Sequence, residues 1–225
     1  TSVFPEKRGD GYCARLDTRM ESVKVLGLVN ITVLAAGSIF TGSVHEPIKG
    51  TKNPQKMLQT GIPFTKKPVA LQFDYKVKMS DRENRIRATG FSKITDVPGK
   101  DYPAAILLLQ KRWEDANGNV YAKRIGTMVT YYYHSTDWKN NVTYEIMYGD
   151  ITNRPEYKAH MMRLQATESY TVNSKGESVP IHEVAWGDEN DVPTHMYIQF
   201  TSSHGGAYIG SPGNTLWVDN VKLVY

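Results

Sequence analysis

With 225 residues, 40% of them hydrophobic and 22% charged, the chain can bury a sizeable core and has the balance of an ordinary globular protein. Its net charge of +4 is scattered, with short clusters only at Lys66-Lys67 and at Arg82, Arg85 and Arg87, which argues for solvated faces and against a nucleic-acid groove. The single cysteine, Cys13, excludes an internal disulfide and a thiol zinc cluster, and no apolar run approaches membrane-spanning length, so no transmembrane segment is expected.

Alternation of apolar and polar residues dominates, and helical periodicity is scarce. In chain order, strands are predicted at Tyr12–Thr18, where Cys13 is expected as a buried thiol, then at Val29–Ala35, Val69–Val77, Ala105–Trp113 and Val120–Tyr132. Further strands are predicted at Val142–Tyr148, Ser178–Trp186, His195–Thr201 and Leu216–Tyr225. Asp115-Ala-Asn-Gly-Asn119 predicts a hairpin, while Asn173–Gly176 and Trp186–Asp191 read as loops. Pro155–Arg163 is the one stretch with a helical reading, its proline standing first. Lys49–Met57 and Ser80–Lys100 read as long polar excursions on the surface. Nine strands between such turns predict an all-β antiparallel sandwich or barrel. No linker or composition break divides the chain, so one domain over residues 1–225 is expected.

The last twenty-nine residues carry the densest signal. Two strand-like runs, Tyr197–Ser203 and Leu216–Tyr225, flank the small-residue connection His204–Asn214, whose glycines read as turn residues. In the final run Trp217, Val221, Leu223 and Tyr225 share a face with Asp219, and Trp217 is expected in the core. A carboxylate among apolar neighbours needs a cation, an arginine such as Arg15, or backbone N–H groups.

Sugar rings offer an apolar face of C–H bonds, so aromatic side chains with polar neighbours are the residues to examine for glycan binding. Trp113, Trp138 and Trp186 are placed at strand ends or loops, with Trp138 inside Ser135-Thr-Asp-Trp-Lys-Asn-Asn141 and Trp186 ahead of Gly187-Asp188. In Tyr131-Tyr-Tyr133, alternation sends Tyr132 to one face and Tyr131 and Tyr133 to the other, the second being a candidate binding surface. Carboxylates suited to glycoside hydrolysis are fewer. Glu114-Asp115 and Asp188-Glu189-Asp191 read as solvated turns, which leaves Glu145 and Glu183 in strands. The six histidines show no metal-enzyme spacing, and neither a nucleophile elbow nor a phosphate-binding glycine loop is present, so no catalytic residue is assigned.

Several pieces together resemble the putative carbohydrate metabolism domain of exported proteins and lipoproteins of gut Bacteroidetes. Asp10-Gly-Tyr-Cys-Ala-Arg-Leu-Asp-Thr-Arg19 is similar to the family's early strand, as are Phe40-Thr-Gly42 and Gly61-Ile-Pro-Phe-Thr-Lys-Lys-Pro68 followed by Leu71–Lys76 to its next elements. Thr201-Ser-Ser203 and Gly213 through Leu216-Trp-Val-Asp-Asn220 resemble its closing signature. The resemblance runs from about residue 9 to the C-terminus, with no matching motif between Tyr133 and Val179. It implies a jelly-roll β-sandwich like many carbohydrate-binding modules, in which a last-strand Asp often helps hold a structural calcium. Asp219 is the position that would carry this role, with Glu6, Asp10 or Asp17 as first-strand partners.

The function expected is therefore a non-catalytic glycan-binding module of an exported or surface lipoprotein, in the periplasm or at the outer membrane. It would form one part, the C-terminal one, of a longer protein whose signal lies before Thr1. The alternatives are a glycoside hydrolase using Glu145 and Glu183, and a structural or adhesive domain that touches proteins.

Overall fold

The computed structural model describes residues 1–25, 29–44, 53–161, 163–164 and 169–225. The chain opens with β1 (Val3–Arg8), β2 (Gly11–Val25), β3 (Val29–Ala36), β4 (Ser38–Phe40) and β5 (Gly42–Val44). A 3₁₀ turn at Pro54–Met57 leads to β6 (Leu58–Thr60) and β7 (Ile62–Pro63). The middle holds β8 (Ala70–Lys78), β9 (Arg85–Arg87), β10 (Thr95–Val97), β11 (Ala104–Glu114), β12 (Val120–Tyr131), β13 (Thr136–Glu145) and β14 (Met147–Tyr148). Then come β15 (Tyr170–Val172), β16 (Ser178–Trp186), β17 (His195–Thr201), β18 (Ile209–Gly210) and β19 (Thr215–Val224).

Two large sheets stack face to face. One is ordered β1-β2-β19-β8-β13 with β3 also on β2; the other is ordered β15-β16-β12-β11-β17-β4 with β14 on β12 and β7 on β17. Period-2 alternation sends Leu16, Leu71, Phe73, Val77, Leu216 and Val218 of the first sheet against Ala105, Leu107, Leu109, Met128, Ile198 and Phe200 of the second. Phe73 is fully buried and meets Phe200 edge-on at 4.8 Å between centroids. Burying such a side chain stabilises the fold by about 2–3 kcal/mol, and the edge-to-face contact adds about 1 kcal/mol. This is the all-β sandwich that the alternation predicts. Cys13 is buried in β2, and burial pushes its thiol pKa up.

The chain passes from one sheet to the other at Gly37, between β3 and β4. There a Cβ would fall 2.2 Å from the Ser2 carbonyl oxygen and 2.7 Å from the Asp17 amide nitrogen, so only glycine permits the close crossing.

Four expectations need correction. Pro155–Arg163 is not helical: it forms separate turns closed by Tyr157 N–H to Arg154 C=O and Met161 N–H to Lys158 C=O, with Met162 outside the described residues. Three-residue turns that never reach i−4 cannot propagate a helix. The pairing of β12 with β16 is parallel, because the long excursion after β14 returns the chain to the same end of the sheet before β16 starts. Ser80–Lys100 is not purely loop. It supplies β9 and β10, which with β18 make a three-stranded sheet whose Ile86 packs on Leu34 and Ala88. Finally, the strand expected from Val142 starts at Thr136, so Trp138 lies inside β13 and not on a loop. Of the Lys49–Met57 excursion, residues 49–52 lie outside the described residues, and Pro54–Met57 is the 3₁₀ turn.

Candidate functional site

The outer face of the eight-stranded sheet carries the residues of opposite parity to the core. Ile106, Leu108 and Val129 cluster there with Tyr131, Met161 and Tyr197. Segments from the Pro54–Thr60 region and around Ala159-His160 and Ser169 lie over this face and leave two adjoining cavities. One, of about 330 Å³, is bounded by Tyr133, Glu145 and Lys158; the other, of about 380 Å³, by Gln55, Gln199 and His204. Both share Tyr131 and His160, so they form one groove of the size that small ligands occupy.

Its walls are aromatic. Tyr131 stacks on His160 at 4.7 Å with planes 25° apart and lies 4.8 Å from His204. Tyr102 stacks on His204 at 5.5 Å and 17°, and meets Tyr133 edge-on at 4.7 Å. Each imidazole is held. The His160 Nδ1 lies 3.1 Å from the Tyr133 hydroxyl, and burial, with Lys158 adding to it, lowers the His160 pKa below the usual imidazole range. The His204 Nδ1 lies 3.0 Å from the Tyr102 backbone nitrogen and 3.3 Å from the Tyr102 carbonyl oxygen.

Behind His204 lies Asp101, a buried carboxylate whose Oδ1 is 3.2 Å from the imidazole Nδ1. It accepts from the Ser203 hydroxyl (2.9 Å), the Ser211 N–H (2.8 Å), the His204 N–H and the Asn214 amide, and so pins the connection between β17 and β19. Gly206 and Gly213, at φ +81° and +103°, make the turns of that connection.

Tyr131 and Tyr133 thus face the groove, while Tyr132 points into the core, 4.5 Å from Tyr75. The tryptophans do not join them. Trp113 is 43% exposed at the end of β11, stacked on Tyr121 at 5.8 Å, and borders a separate cavity of about 180 Å³. Trp186 lies beside the Arg124 guanidinium at 5.7 Å. Trp138 is on the other sheet, with the Arg8 guanidinium 3.8 Å over its ring. Trp138 and Trp186 therefore make no common platform.

Trp138 belongs to a rung that crosses the six-stranded sheet on its outer side. Phe4, Arg15, Trp217 and Lys76 are register neighbours on β1, β2, β19 and β8, with Lys76 lying 4.0 Å from the Trp217 ring and 5.7 Å from that of Trp138. Cations thus alternate with rings. Trp217 is buried, but under this charged canopy and not between the sheets, and its indole N–H donates to Glu6 at 2.9 Å. Leu216 and Val218 fill the core positions instead. A register shift after Asp219, with Asn220 at φ +51°, ends the simple alternation on which the predicted face rested, and Leu223 packs toward the core while Val221 and Tyr225 are exposed.

Asp219 faces Arg8. The Arg8 Nη1 bridges Asp219 (2.7 Å) and Asp74 (2.8 Å), and Asp74 also accepts the Asn141 N–H (2.6 Å) and the Asn220 amide (2.9 Å). Burial raises the Asp74 pKa, yet these N–H donors and Arg8 together hold it below its usual value. Calcium needs six to eight oxygens. Here N–H donors and a guanidinium occupy the carboxylate oxygens, so the residues present fit an arginine and not a calcium ion. The arginine is Arg8, since Arg15 pairs with Glu6 and Asp17.

Glu145 lines the groove, but Glu183 does not stand across a cleft from it. Glu183 is buried on β16, where it accepts from Arg124 Nε (2.6 Å) and Nη2 and from Gln110 Nε2 (2.5 Å).

Half-buried His195 sits near Arg112 at the far end of β17, its Nδ1 2.9 Å from the Thr194 hydroxyl. Burial first and the Arg112 charge second push its pKa down to about 4. An unfolded histidine titrates near ~6.5, so between pH ~6.5 and ~4 the unfolded chain takes up a proton that the folded chain refuses. The stability from this depressed pKa is complete above ~6.5 and is lost as pH falls through that window. Thermal melts at pH 7 and 4.5 should show the wild type losing several degrees more than His195→Gln; equal losses would remove His195 as the cause.

Tyr102, His160, Tyr197, Gln199 and His204 were not singled out by their sequence context. Alternation against the core-facing Met196, Ile198 and Phe200 marks Tyr197 and Gln199 as outward, but their meeting with residues 102, 131 and 160 depends on long-range pairing.

A β-sandwich with an aromatic groove on one outer face is an architecture suited to holding a small or polymeric ligand. The family described as the putative carbohydrate metabolism domain matches residues 1–224, and the chain belongs to it. No curated protein matches the chain. Among solved structures it resembles the crystal structure of a protein described as a putative glycoside hydrolase from Bacteroides thetaiotaomicron VPI-5482, with 20% identity and a TM-score of 0.58. The likeness covers 100% of this chain and 57% of that one, and at this identity it speaks for the fold alone.

Proposed function

We propose that the domain binds a glycan in the groove and does not cleave it. The observation that carries this reading is the cluster of rings from Tyr102, Tyr131, Tyr133, His160 and His204, set beside polar groups on one sheet face. Aromatic faces stack on sugar C–H surfaces, and amides and hydroxyls match sugar hydroxyls. The carbohydrate description of the family and the sandwich fold agree with it. An exported setting belongs to the same proposal, because polymeric glycans are met outside the cell.

Hydrolysis would need two carboxylates roughly 5–10 Å apart across the bond. Among the described residues lining the groove, Glu145 is the single carboxylate, and Glu183 is engaged by Arg124. The hydrolase reading keeps Glu145 as its one support. In affinity gels cast with a panel of soluble polysaccharides, Tyr131→Ala should weaken retention about 10- to 100-fold, equivalent to about 1.4–2.8 kcal/mol, and Trp138→Ala should leave it unchanged. Calcium and EDTA lanes should run alike. Retention indifferent to Tyr131 would defeat the proposal, and reducing sugar released by the wild type but not by Glu145→Gln would install the hydrolase in its place.

A further inference from the structure

The larger cavity, of about 380 Å³, has a chemical character of its own. Among the described residues, none of its lining side chains is an aspartate, glutamate, lysine or arginine. Of its two histidines, His160 has its imidazolium form disfavoured by burial and then by Lys158, and its Nδ1 faces the Tyr133 hydroxyl. His204 lies with its Nδ1 3.2 Å from the Asp101 carboxylate, which does not itself line the cavity. The adjoining cavity carries one group of each sign, Lys158 and Glu145.

What the chamber does offer is neutral and uncommitted to other described side chains. The side-chain amides of Gln55 and Gln199 and the Tyr197 hydroxyl line it, and none makes a side-chain hydrogen bond to another described residue. An amide both donates and accepts, as does a hydroxyl. That is the complement of a sugar hydroxyl, which does the same. A carboxylate or sulfate accepts only, and entering this chamber would cost it hydration with no cation among the described lining residues to replace it. Contact with the aromatic wall is the same for neutral and acidic sugars, so the discrimination falls to the polar groups.

We infer that the groove selects uncharged sugar units and rejects uronic acids and sulfated sugars at the position flanked by Gln55, Gln199 and Tyr197. The inference rests on the glycan-binding reading above and adds the class of sugar to it. A glycan array carrying neutral oligosaccharides beside their carboxylated and sulfated counterparts, probed with wild type, Tyr131→Ala and Gln199→Lys, tests both at once. The expected result is a set of hits lost in Tyr131→Ala that are all uncharged at the bound unit, with matched acidic glycans at least ten-fold weaker. Gln199→Lys should narrow that gap by raising the acidic signal. Acidic glycans bound equally well or better, and lost in Tyr131→Ala, would overturn the selectivity while leaving the groove in place. An array with no hits, or with hits that Tyr131→Ala leaves intact, would reject the groove itself and the selectivity with it.

Discussion

Glu183→Ala should lower stability by about 3–5 kcal/mol, a fall of roughly 10 °C in melting temperature for a chain of this size. Arg124 has no exposed surface, and its guanidinium lies against the Glu183 carboxylate through Nε and Nη2. Removing the carboxylate takes this counter-charge from a buried cation that keeps contacts to Thr127 and the Arg163 carbonyl, and the desolvation dominates the loss. Gln110 extends the network: its amide donates to Glu183, and its Oε1 accepts from Arg112 Nε at 2.8 Å. Burial lowers the Arg112 pKa to about 10, against the opposing pull of Glu183, so the side chain remains charged at neutral pH. Arg112 then donates to the Thr60 carbonyl at 2.8 Å, and Thr60 lines the groove. The chain of contacts therefore runs from a buried ion pair to the wall of the candidate site. The double variant Arg124→Met/Glu183→Leu should recover much of the lost stability, because apolar replacements remove both charges together. A single variant melting within a degree or two of wild type would show that Arg124 does not depend on Glu183.

Asp101→Ala should cost stability and glycan retention together. Four donors converge on this carboxylate from Ser203, His204, Ser211 and Asn214, and a buried donor without its acceptor costs about 1–3 kcal/mol. Partial relaxation toward water keeps the sum below the arithmetic total, and a loss of at least ~3 kcal/mol is expected. The same four contacts hold His204 against Tyr102 and Tyr131. Melting curves and affinity gels on one preparation separate the roles. Tyr131→Ala should lose retention with a small change in melting, whereas Asp101→Ala should lose both. Asp101→Ala with full retention would show that the connection after β17 does not position the groove.

The sandwich was legible because a half-buried strand writes its burial into alternate residues. Ser178–Trp186 and His195–Thr201 fall on the predicted limits, and the hairpin at Asp115–Asn119 closes where its Asn-Gly pair indicates. The same rule separated Tyr132 from Tyr131 and Tyr133. It failed where a strand departs from ideal pleating. In β19 the shift after Asp219 ends the simple alternation, and in β13 two register shifts at Lys139 and Val142 made a strand look like a loop. The groove was less legible for a different reason. Tyr102, Tyr131 and His204 are neighbours only because β11 pairs with β12 and β17, a fact of tertiary pairing that no local window contains. Exposure misled as well: the indole of Trp138 is a natural sugar platform in isolation, but Arg8, 130 residues away in sequence (138 − 8), covers it.

The position of β19 between β2 and β8 has a consequence for biosynthesis. Its partners leave the ribosome long before it does, and until residues 215–224 emerge β2 and β8 face each other across a missing strand. Both then present unpaired backbone and the apolar side chains that Leu216 and Val218 will cover, the kind of surface that chaperones bind and that aggregates form from. Completion of the sheet is thus a non-local closure, slow by the logic of contact order, and maturation of the sandwich waits on the emergence of residues 215–224.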